Sequence, residues 1–359
     1  MFNRRWLRLL AVLLGLTMLA AACGDDDDDV ESGNGDESTD ESSDDGGGEG
    51  GDFRIGLVYD VGGRGDQSFN DAAYEGLTRA SEELGVEIQD LEPEGGGENR
   101  EELLRTLAED GYDMIIGVGF AFAESMGAVT ADFPDTAFAI VDDASVEAEN
   151  LTSLVFAEHE GSFLVGAAAA LTSETGQLGF IGGVEVDLIK KFEAGFVAGA
   201  AEVAPDATVD VKYISQPPDF SGFNDPAKGK EIALGQYSAG ADVIYHAAGG
   251  SGGGLFEAAL ETGDVWAIGV DSDQYLTAEE AVQDVILTSM IKRVDVAVFE
   301  AIKSFTEGNL EAGAQEFDLS NDGVGYSTSG DFLSQDVIDQ LEELKTKIID
   351  GEIEVPSAP

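Results

Sequence analysis

The chain has 359 residues, with 73 Asp and Glu against 18 Lys and Arg, which gives a formal net charge of −55. So large an acidic excess repels nucleic acid and anionic lipid headgroups, which argues against both as partners of the folded part. A single cysteine excludes an intrachain disulfide. With only two histidines, no nucleophile–base pair of recognisable spacing is present. We therefore predict no enzymatic activity, no cofactor and no metal.

The N-terminus has the three parts of a secretory signal. Three arginines precede an apolar run over residues 9–22, which is too short to span a bilayer. Small residues then lead to Cys23, and residues 19–23 resemble a bacterial lipobox, although Ala20 stands where leucine is commoner. The alternative is an uncleaved anchor. We expect residues 1–22 to be a signal peptide and Cys23 to be lipidated, which would hold the chain on the extracytoplasmic face of the cell membrane.

The next segment has the composition of a tether. Residues 24–51 contain 13 Asp or Glu, no Lys or Arg, and Val30 as the only apolar residue. Such a segment cannot bury enough apolar surface to offset its ordering entropy, and its charges repel one another. We expect residues 23–51 to form a lipidated cysteine followed by an acidic, disordered tether.

Beyond the tether, short apolar runs alternate with amphipathic stretches. The predicted strands cover residues 54–59, 114–118, 137–141, 152–156, 177–181, 209–214, 242–246, 265–270 and 285–291. The predicted helices cover residues 70–84, a stretch from about 121, then 162–171, 188–203, 227–238, 254–261 and 294–305. This alternation predicts an α/β protein with parallel sheets covered on both faces.

The length favours two doubly wound domains over one large sheet, because the series restarts near residue 177. A single barrel would need eight similar units, and the chain after residue 285 fits that poorly. We expect residues 52–157 and about 275–318 to form lobe 1. Residues 158–274 and about 319–359 would form lobe 2.

The loop after the first strand is the first candidate binding element. Residues 60–70 hold three glycines but match neither nucleotide-phosphate motif, and Asp60 and Asp66 would repel a phosphate. Carboxylate, amide and aromatic groups in this loop suit a neutral ligand with a ring. The structural alternative makes Asp60 a helix-cap partner and Phe69 a hydrophobic staple.

Other predicted strands also end in polar or aromatic residues. In parallel α/β sheets, ligands bind at the carboxyl ends of the strands. The candidates at these ends are Asp142 or Asp143, Tyr245, His246, Gly249, Asp271 and Lys292. Each also has an ordinary structural explanation, but together they can grip hydroxyls and stack a flat ring.

Five blocks of sequence resemble the basic membrane protein family. They are Ile55-Gly-Leu-Val-Tyr-Asp-Val-Gly-Gly-Arg-Gly-Asp-Gln-Ser-Phe-Asn, Glu160-Gly-Ser-Phe-Leu-Val-Gly, Tyr245-His-Ala-Ala-Gly-Gly-Ser-Gly, Gly269-Val-Asp-Ser-Asp-Gln and Leu287-Thr-Ser-Met-Ile-Lys-Arg-Val-Asp. Members of that family are substrate-binding lipoproteins of ABC importers, and some are purine nucleoside receptors. The resemblance runs from about residue 53 to near the C-terminus.

The resemblance implies a type I periplasmic-binding-protein fold, with two doubly wound Rossmann-like lobes, three hinge crossings and a ligand cleft between the lobes. The position of Phe69 would stack on the base. Asp60 and Asn70 would hydrogen-bond near the base, and Asp142 would face the cleft, with Asp143 as its alternative.

For the rest of the site, the resemblance implies that Tyr245 forms the second stacking wall with His246 beside it. Phe223 is the alternative opposing ring. Gly249, Asp271 and Lys292 would hold the ribose hydroxyls, the first two from loops and the last from a strand end. One lysine could not neutralise a phosphate among these carboxylates, which favours a nucleoside over a nucleotide.

We therefore expect a monomeric, membrane-anchored receptor that captures purine nucleosides (guanosine, adenosine or inosine) for the permease of an ABC transporter. One alternative is the same fold binding another small solute, such as a sugar or a signalling molecule. A second is a nucleoside hydrolase that uses Asp60 and a metal held by aspartates.

Overall fold

A computed structural model describes residues 53–359. The predicted signal peptide, the lipidation site Cys23 and the tether all lie outside the described residues. Within residues 53–359, no helix is both long enough and apolar enough to span a bilayer.

The described chain alternates strands and helices, as the sequence predicts. The strands are β1 (Arg54–Val58), β2 (Glu87–Leu91), β3 (Met114–Gly117), β4 (Ala137–Val141), β5 (Leu151–Phe156), β6 (Gln177–Val184), β7 (Thr208–Ser215), β8 (Val243–Ala247), β9 (Trp266–Asp271), β10 (Ile286–Lys292), β11 (Gly313–Phe317) and β12 (Val324–Tyr326). The helices are α1 (Phe69–Leu84), α2 (Arg100–Glu109), α3 (Ala123–Asp132), α4 (Glu158–Thr172), α5 (Asp187–Val203), α6 (Pro226–Ser238), α7 (Gly252–Thr262), α8 (Gln274–Thr277), α9 (Glu280–Gln283), α10 (Val294–Thr306) and α11 (Gln335–Ile349).

The strands form two six-stranded sheets of the same plan. The first runs β11-β5-β4-β3-β1-β2 and is parallel throughout, with Ile55 of β1 paired to Ile88 on one side and Met114 on the other. The second runs β12-β10-β9-β8-β6-β7, and only β12 is antiparallel. In each sheet the strand order reverses beside the first strand, and loops at such a switch point diverge to leave a crevice.

The chain crosses between the lobes at three places, after β5, after β10 and after β11. The crossing segments are hydrogen-bonded to each other: the Ala157 N–H donates to the Phe317 carbonyl at 2.9 Å, and the Arg293 N–H donates to the Gly323 carbonyl at 2.9 Å. Two of the predicted lobe boundaries fall at crossings. The boundary predicted at about residue 275 is wrong, because β10 pairs with β9 and the return to lobe 1 follows Lys292. A strand that is buried on both faces could belong to either sheet, so its composition does not predict which lobe contains it.

Small residues let two helices of lobe 2 pack closely beneath the cleft. A β-carbon at Gly199 would lie 1.9 Å from the Phe163 carbonyl oxygen, and one at Gly166 would lie 2.2 Å from that of Phe196. The backbones of α4 and α5 therefore approach directly, since no side chain separates them at these points. This packing fixes α5, whose N-terminal turn extends to the cleft.

Candidate functional site

A cavity of about 560 Å³ lies between the lobes at the carboxyl ends of both sheets. Lobe 1 lines it with Asp60, Val61, Asp66, Phe69, Asn70, Gly119, Phe120 and Asp142. Lobe 2 lines it with Leu188, Ile189, Phe192, Phe223, Ala247, Ala248, Gly249, Val270, Asp271 and Lys292. Seven of the nine predicted ligand-binding residues line this cavity, and Tyr245 and His246 do not.

The first loop is held in place by Asp66, a residue that our sequence analysis did not assign to the site. Its carboxylate accepts hydrogen bonds from the backbone N–H groups of Ser68, Asn70 and Asp71 at 2.9–3.1 Å, where α1 begins. Burial raises the pKa of Asp66 to about 6, although these hydrogen bonds oppose the shift. The helix-capping role considered for Asp60 therefore belongs to Asp66.

Asp60 lines the cavity and is fixed through one of its carboxylate oxygens. Its Oδ1 accepts from Arg100 Nη2 at 2.9 Å and from the Val61 N–H at 2.8 Å. Its own N–H donates to Asn70 Oδ1 at 2.9 Å, so the two predicted residues brace each other. Burial raises the pKa of Asp60, and the Arg100 guanidinium opposes this. Within residues 53–359, Oδ2 accepts no hydrogen bond.

Asp142 is a buried carboxylate whose hydrogen-bonding capacity is only partly used. It follows β4 with a φ of 69°, and its Oδ2 accepts from Lys292 Nζ at 2.6 Å. Its Oδ1 is buried and has no hydrogen-bond partner among the described residues. Burial raises its pKa to about 7; Lys292 opposes the shift, and Glu158 and Asp271 add to it. Asp143 instead closes a local turn with Ser145 and does not line the cavity, so Asp142 is the cleft residue.

Lys292 is a buried cation shared by three carboxylates. Its side chain is only 2% exposed, and its Nζ lies 2.6 Å from Asp142 and 3.5 Å from Glu158 Oε1. Burial alone lowers a lysine pKa, but Asp142, Glu158 and Asp271 together raise the pKa of Lys292 above its ordinary value. The ammonium also lies 5.0 Å from the centre of the Phe69 ring.

Asp271 and Gly249 approach the cavity from lobe 2, both at left-handed backbone positions. Asp271 has a φ of 64°, and its Oδ2 accepts from Ser68 Oγ of the opposite lobe at 2.7 Å. Its pKa is raised by burial and lowered by Lys292. Gly249 has a φ of 52°, and a β-carbon there would lie 3.2 Å from the Phe223 carbonyl oxygen.

The structure places Tyr245 and His246 in the core, which corrects their predicted place in the site. Tyr245 is fully buried, packs on the rings of Phe180 and Phe196, and shares a hydrogen bond with Ser162. His246 points to the other face of β8, because neighbouring strand residues alternate sides. Both faces of the strand are covered by helices, so neither side chain reaches the cleft.

Phe223, the alternative opposing ring, lines the cavity from lobe 2. It ends a short 3₁₀ turn, Ser221–Phe223, and a β-carbon at position 183 would lie 2.5 Å from its ring, so Gly183 makes room for it. The start of α5 adds an apolar wall of Leu188, Ile189 and Phe192. Aromatic rings on both lobes, with carboxylates and one ammonium, suit a flat polar ligand that donates hydrogen bonds.

The family comparison agrees with this geometry. Residues 54–358 match the model of a family described as "ABC transporter substrate-binding protein PnrA-like". The chain belongs to this family. It is therefore the substrate-binding protein of an ABC transporter and not an enzyme, which confirms the predicted class.

Individual relatives share most of their length with this chain. A CD4+ T-cell-stimulating antigen of Listeria monocytogenes is 40% identical, with 86% of this chain and 89% of the relative covered. The ABC transporter nucleoside-binding protein BmpA of Lactococcus lactis is 34% identical, with 85% and 90% covered. An ABC transporter solute-binding protein of Aeropyrum pernix has a solved structure that superposes with a TM-score of 0.75 at 30% identity, covering 85% and 93%. These neighbours confirm the predicted two-lobed periplasmic-binding fold.

Proposed function

We propose that this protein captures a purine nucleoside and delivers it to the permease of an ABC importer. The observation that carries the proposal is a pair of carboxylate oxygens on residues that line a cavity with aromatic walls: Asp142 Oδ1 is buried, and neither it nor Asp60 Oδ2 accepts a hydrogen bond within the described residues. Such acceptors call for hydrogen-bond donors on the ligand, and the N–H groups of a base can supply them. The relative named as a nucleoside-binding protein supports the same ligand class.

In this proposal the base lies against Phe69 of lobe 1, with Phe223 of lobe 2 on its other side. Stacking on an aromatic ring contributes roughly 1–3 kcal/mol per base. Asp60 and Asp142 accept from the N–H groups of the base. Asp271 accepts from the ribose hydroxyls through charge-assisted hydrogen bonds, which are stronger than neutral ones.

A nucleotide is disfavoured by the same charges. Among residues 53–359, Lys292 is the only cation that lines the cavity, and it already faces Asp142 and Glu158. A phosphate would meet Asp60, Asp142 and Asp271 at short range with little neutralisation. We therefore expect guanosine, adenosine or inosine to bind and guanosine monophosphate to bind far more weakly.

Titration calorimetry with these nucleosides, ribose and glucose tests the ligand class. Phe69→Ala and Asp271→Ala should each weaken nucleoside binding at least tenfold, about 1.4 kcal/mol. Asp143→Ala is the matched control, because it removes a neighbouring carboxylate that does not line the cavity. Unchanged affinity in both site variants, or binding of a sugar alone, would contradict the proposal. Mass spectrometry of any ligand that co-purifies gives an independent identification.

We also propose that the protein is a monomer anchored by lipid on Cys23 at the extracytoplasmic face of the cell membrane. The lipobox-like sequence supports the anchor, and several relatives are named lipoproteins. Cys23→Ala should move the protein from the membrane fraction to the soluble fraction. Light scattering of the detergent-solubilised chain checks the monomer, and retention of Cys23→Ala in the membrane would contradict the anchor.

A further inference from the structure

The loop that leads into α1 touches lobe 2 through its backbone. The Gln67 carbonyl accepts from Gln274 Nε2 at 3.1 Å and from Thr277 Oγ1 at 3.2 Å. Gln67 has a φ of 54°, a conformation that residues with a β-carbon rarely adopt. The next residue, Ser68, donates to Asp271. The hydrogen bonds to the Gln67 carbonyl therefore lie next to cavity residues of both lobes, Phe69 and Asp271.

The oxygen and the nitrogen of the Gln274 amide form hydrogen bonds with different lobes. Its Oε1 accepts from the Val270 N–H at 2.9 Å, inside lobe 2. Its Nε2 donates to the Gln67 carbonyl of lobe 1, and within the described chain this is the one hydrogen bond from the Gln274 side chain to that lobe. The orientation of the amide is determined, because the Val270 N–H must meet an oxygen and the Gln67 carbonyl must meet an N–H. Gln274 is also 1% exposed, so its side chain is confined.

His246 is the second group on Gln274 Oε1. Its Nε2 lies 2.9 Å from that oxygen, which is only an acceptor, so the imidazole carries its proton on Nε2 and donates. Its Nδ1 is buried without a partner among the described residues. Burial lowers the pKa of His246 to about 4, which keeps the ring neutral. Gly252 leaves room for the ring, because a β-carbon there would lie 1.9 Å from it.

We propose that Gln274 is the residue that fastens lobe 2 to lobe 1 in the closed state, and that His246 is a positioning residue that orients its amide. His246 therefore acts on the cleft indirectly, through Gln274, and does not line it. The bond to the Gln67 carbonyl is made only when the lobes meet, so it slows the opening of the cleft. The proposal depends on lobe closure and not on the identity of the ligand.

Gln274→Glu separates the two tasks of the amide. The glutamate keeps an oxygen for His246 and Val270 but replaces the N–H group that donates to the Gln67 carbonyl with a second oxygen. We expect guanosine affinity to fall at least tenfold, mainly through faster dissociation. Thr277→Val is the matched control, since it removes the other donor to the same carbonyl from an exposed position, and its effect should stay below threefold.

The positioning role of His246 is tested by a pair of variants. His246→Leu removes the donor to Gln274, and His246→Gln retains an N–H that can reach it. We expect His246→Leu to speed guanosine dissociation and His246→Gln to restore the rate to within about twofold of wild type. Equal dissociation rates in the two folded variants would overturn this role.

Lobe closure itself is measured by the distance between spin labels on the exposed positions Glu98 and Asp219, in a Cys23→Ser background. These positions lie on opposite lobes at the mouth of the cleft. We expect Gln274→Glu to lose the short-distance population that wild type shows. If wild type binds no nucleoside, the proposed ligand is wrong, and the ligand-free distances alone judge this inference. Identical distance distributions in wild type and Gln274→Glu would overturn it.

Discussion

The two walls of the cleft obtain their polar partners in different ways. On lobe 1, Asp60 is paired with Arg100 and Asp66 caps α1, so these carboxylates are held by contacts inside their own lobe. On lobe 2, Asp271 accepts from a serine of lobe 1, and Lys292 pairs with Asp142 of lobe 1. These two polar groups of lobe 2 therefore have partners across the cleft, although Lys292 also faces Glu158 of its own lobe.

This difference suggests that the two walls contribute to ligand binding in different ways. The wall of lobe 1 is preorganised, because its hydrogen bonds do not depend on closure, and preorganised groups lose less entropy when a ligand binds. The wall of lobe 2 is completed by closure, since Asp271 gains its Ser68 donor and Lys292 gains Asp142 only when lobe 1 meets it. A ligand that contacts both walls therefore stabilises the closed state.

Lys292→Met should produce the largest effect, because it leaves Asp142, Glu158 and Asp271 buried without their shared cation. Breaking a buried ion pair by removing one partner costs about 3–5 kcal/mol of unfolding free energy. Chemical denaturation of the ligand-free protein measures this cost. Lys190→Met is the control, because its ion pair with Glu185 is about one-third exposed and should be worth less than about 1 kcal/mol. Similar losses in both variants would contradict the central role of Lys292.

Arg100→Met tests whether the wall of lobe 1 is built before the ligand binds. The variant leaves Asp60 buried without its cation, so we expect a loss of about 2–3 kcal/mol of unfolding free energy in the absence of ligand. Arg105→Met removes a side chain that is 31% exposed and pairs with the more exposed Glu101 and Asp132, so it should cost less than about 1 kcal/mol. If Arg100→Met lost affinity but no ligand-free stability, the wall of lobe 1 would not be preorganised.

The fold was predictable because its central strands are continuous apolar runs. The elements absent from our sequence analysis are polar ones at edges and surfaces. β2 is an edge strand of sequence Glu-Ile-Gln-Asp-Leu, and α2 is charged on most of its surface. β11 is also an edge strand, with Gly, Ala, Gln and Glu before its single aromatic residue. Such elements need only one apolar face, so their composition is a weak predictor of a strand or helix.

The site was predictable at the strand ends and not within the strands. Asp142, Asp271 and Lys292 follow or close buried strands, where the chain leaves the sheet. Tyr245 lies within β8, and its aromatic ring suits a helix-covered core as well as a cleft. Phe223 lies in a loop, so nothing in its local sequence distinguished a cavity wall from a turn residue. Asp66 and Arg100 act through other residues, and such contacts are visible only in three dimensions.

The pH dependence of stability gives a smaller test of the contact between the walls. In the folded protein the pKa of Asp142 is raised from 3.8 to about 7, so the folded chain holds this proton more tightly than the unfolded chain. Its contribution is therefore lost as the pH rises from about 4 to 7, at no more than about 1.4 kcal/mol per pH unit. Buried His246 acts in the opposite direction between about pH 4 and 6.5.

Comparison with Asp142→Asn isolates this effect, because the histidine contribution is the same in both proteins. Unfolding free energies measured between pH 5 and 8 should fall more steeply for wild type than for the variant. Parallel curves would show that Asp142 is ionised throughout this range and that Lys292 fully offsets its burial.

The smallest effect should come from the mouth of the cleft, where Phe120 of lobe 1 meets Phe220 of lobe 2 with ring centres 6.0 Å apart. Aromatic pairs of this kind contribute about 0.5–1.5 kcal/mol beyond the area they bury. Phe120→Ala should therefore raise the dissociation rate of guanosine by about two- to tenfold and leave ligand-free stability nearly unchanged. A double-mutant cycle with Phe220→Ala separates the contact from the loss of each ring. If the effects of the two single variants simply add, the rings do not act as a pair, and closure rests on the polar contacts between the lobes.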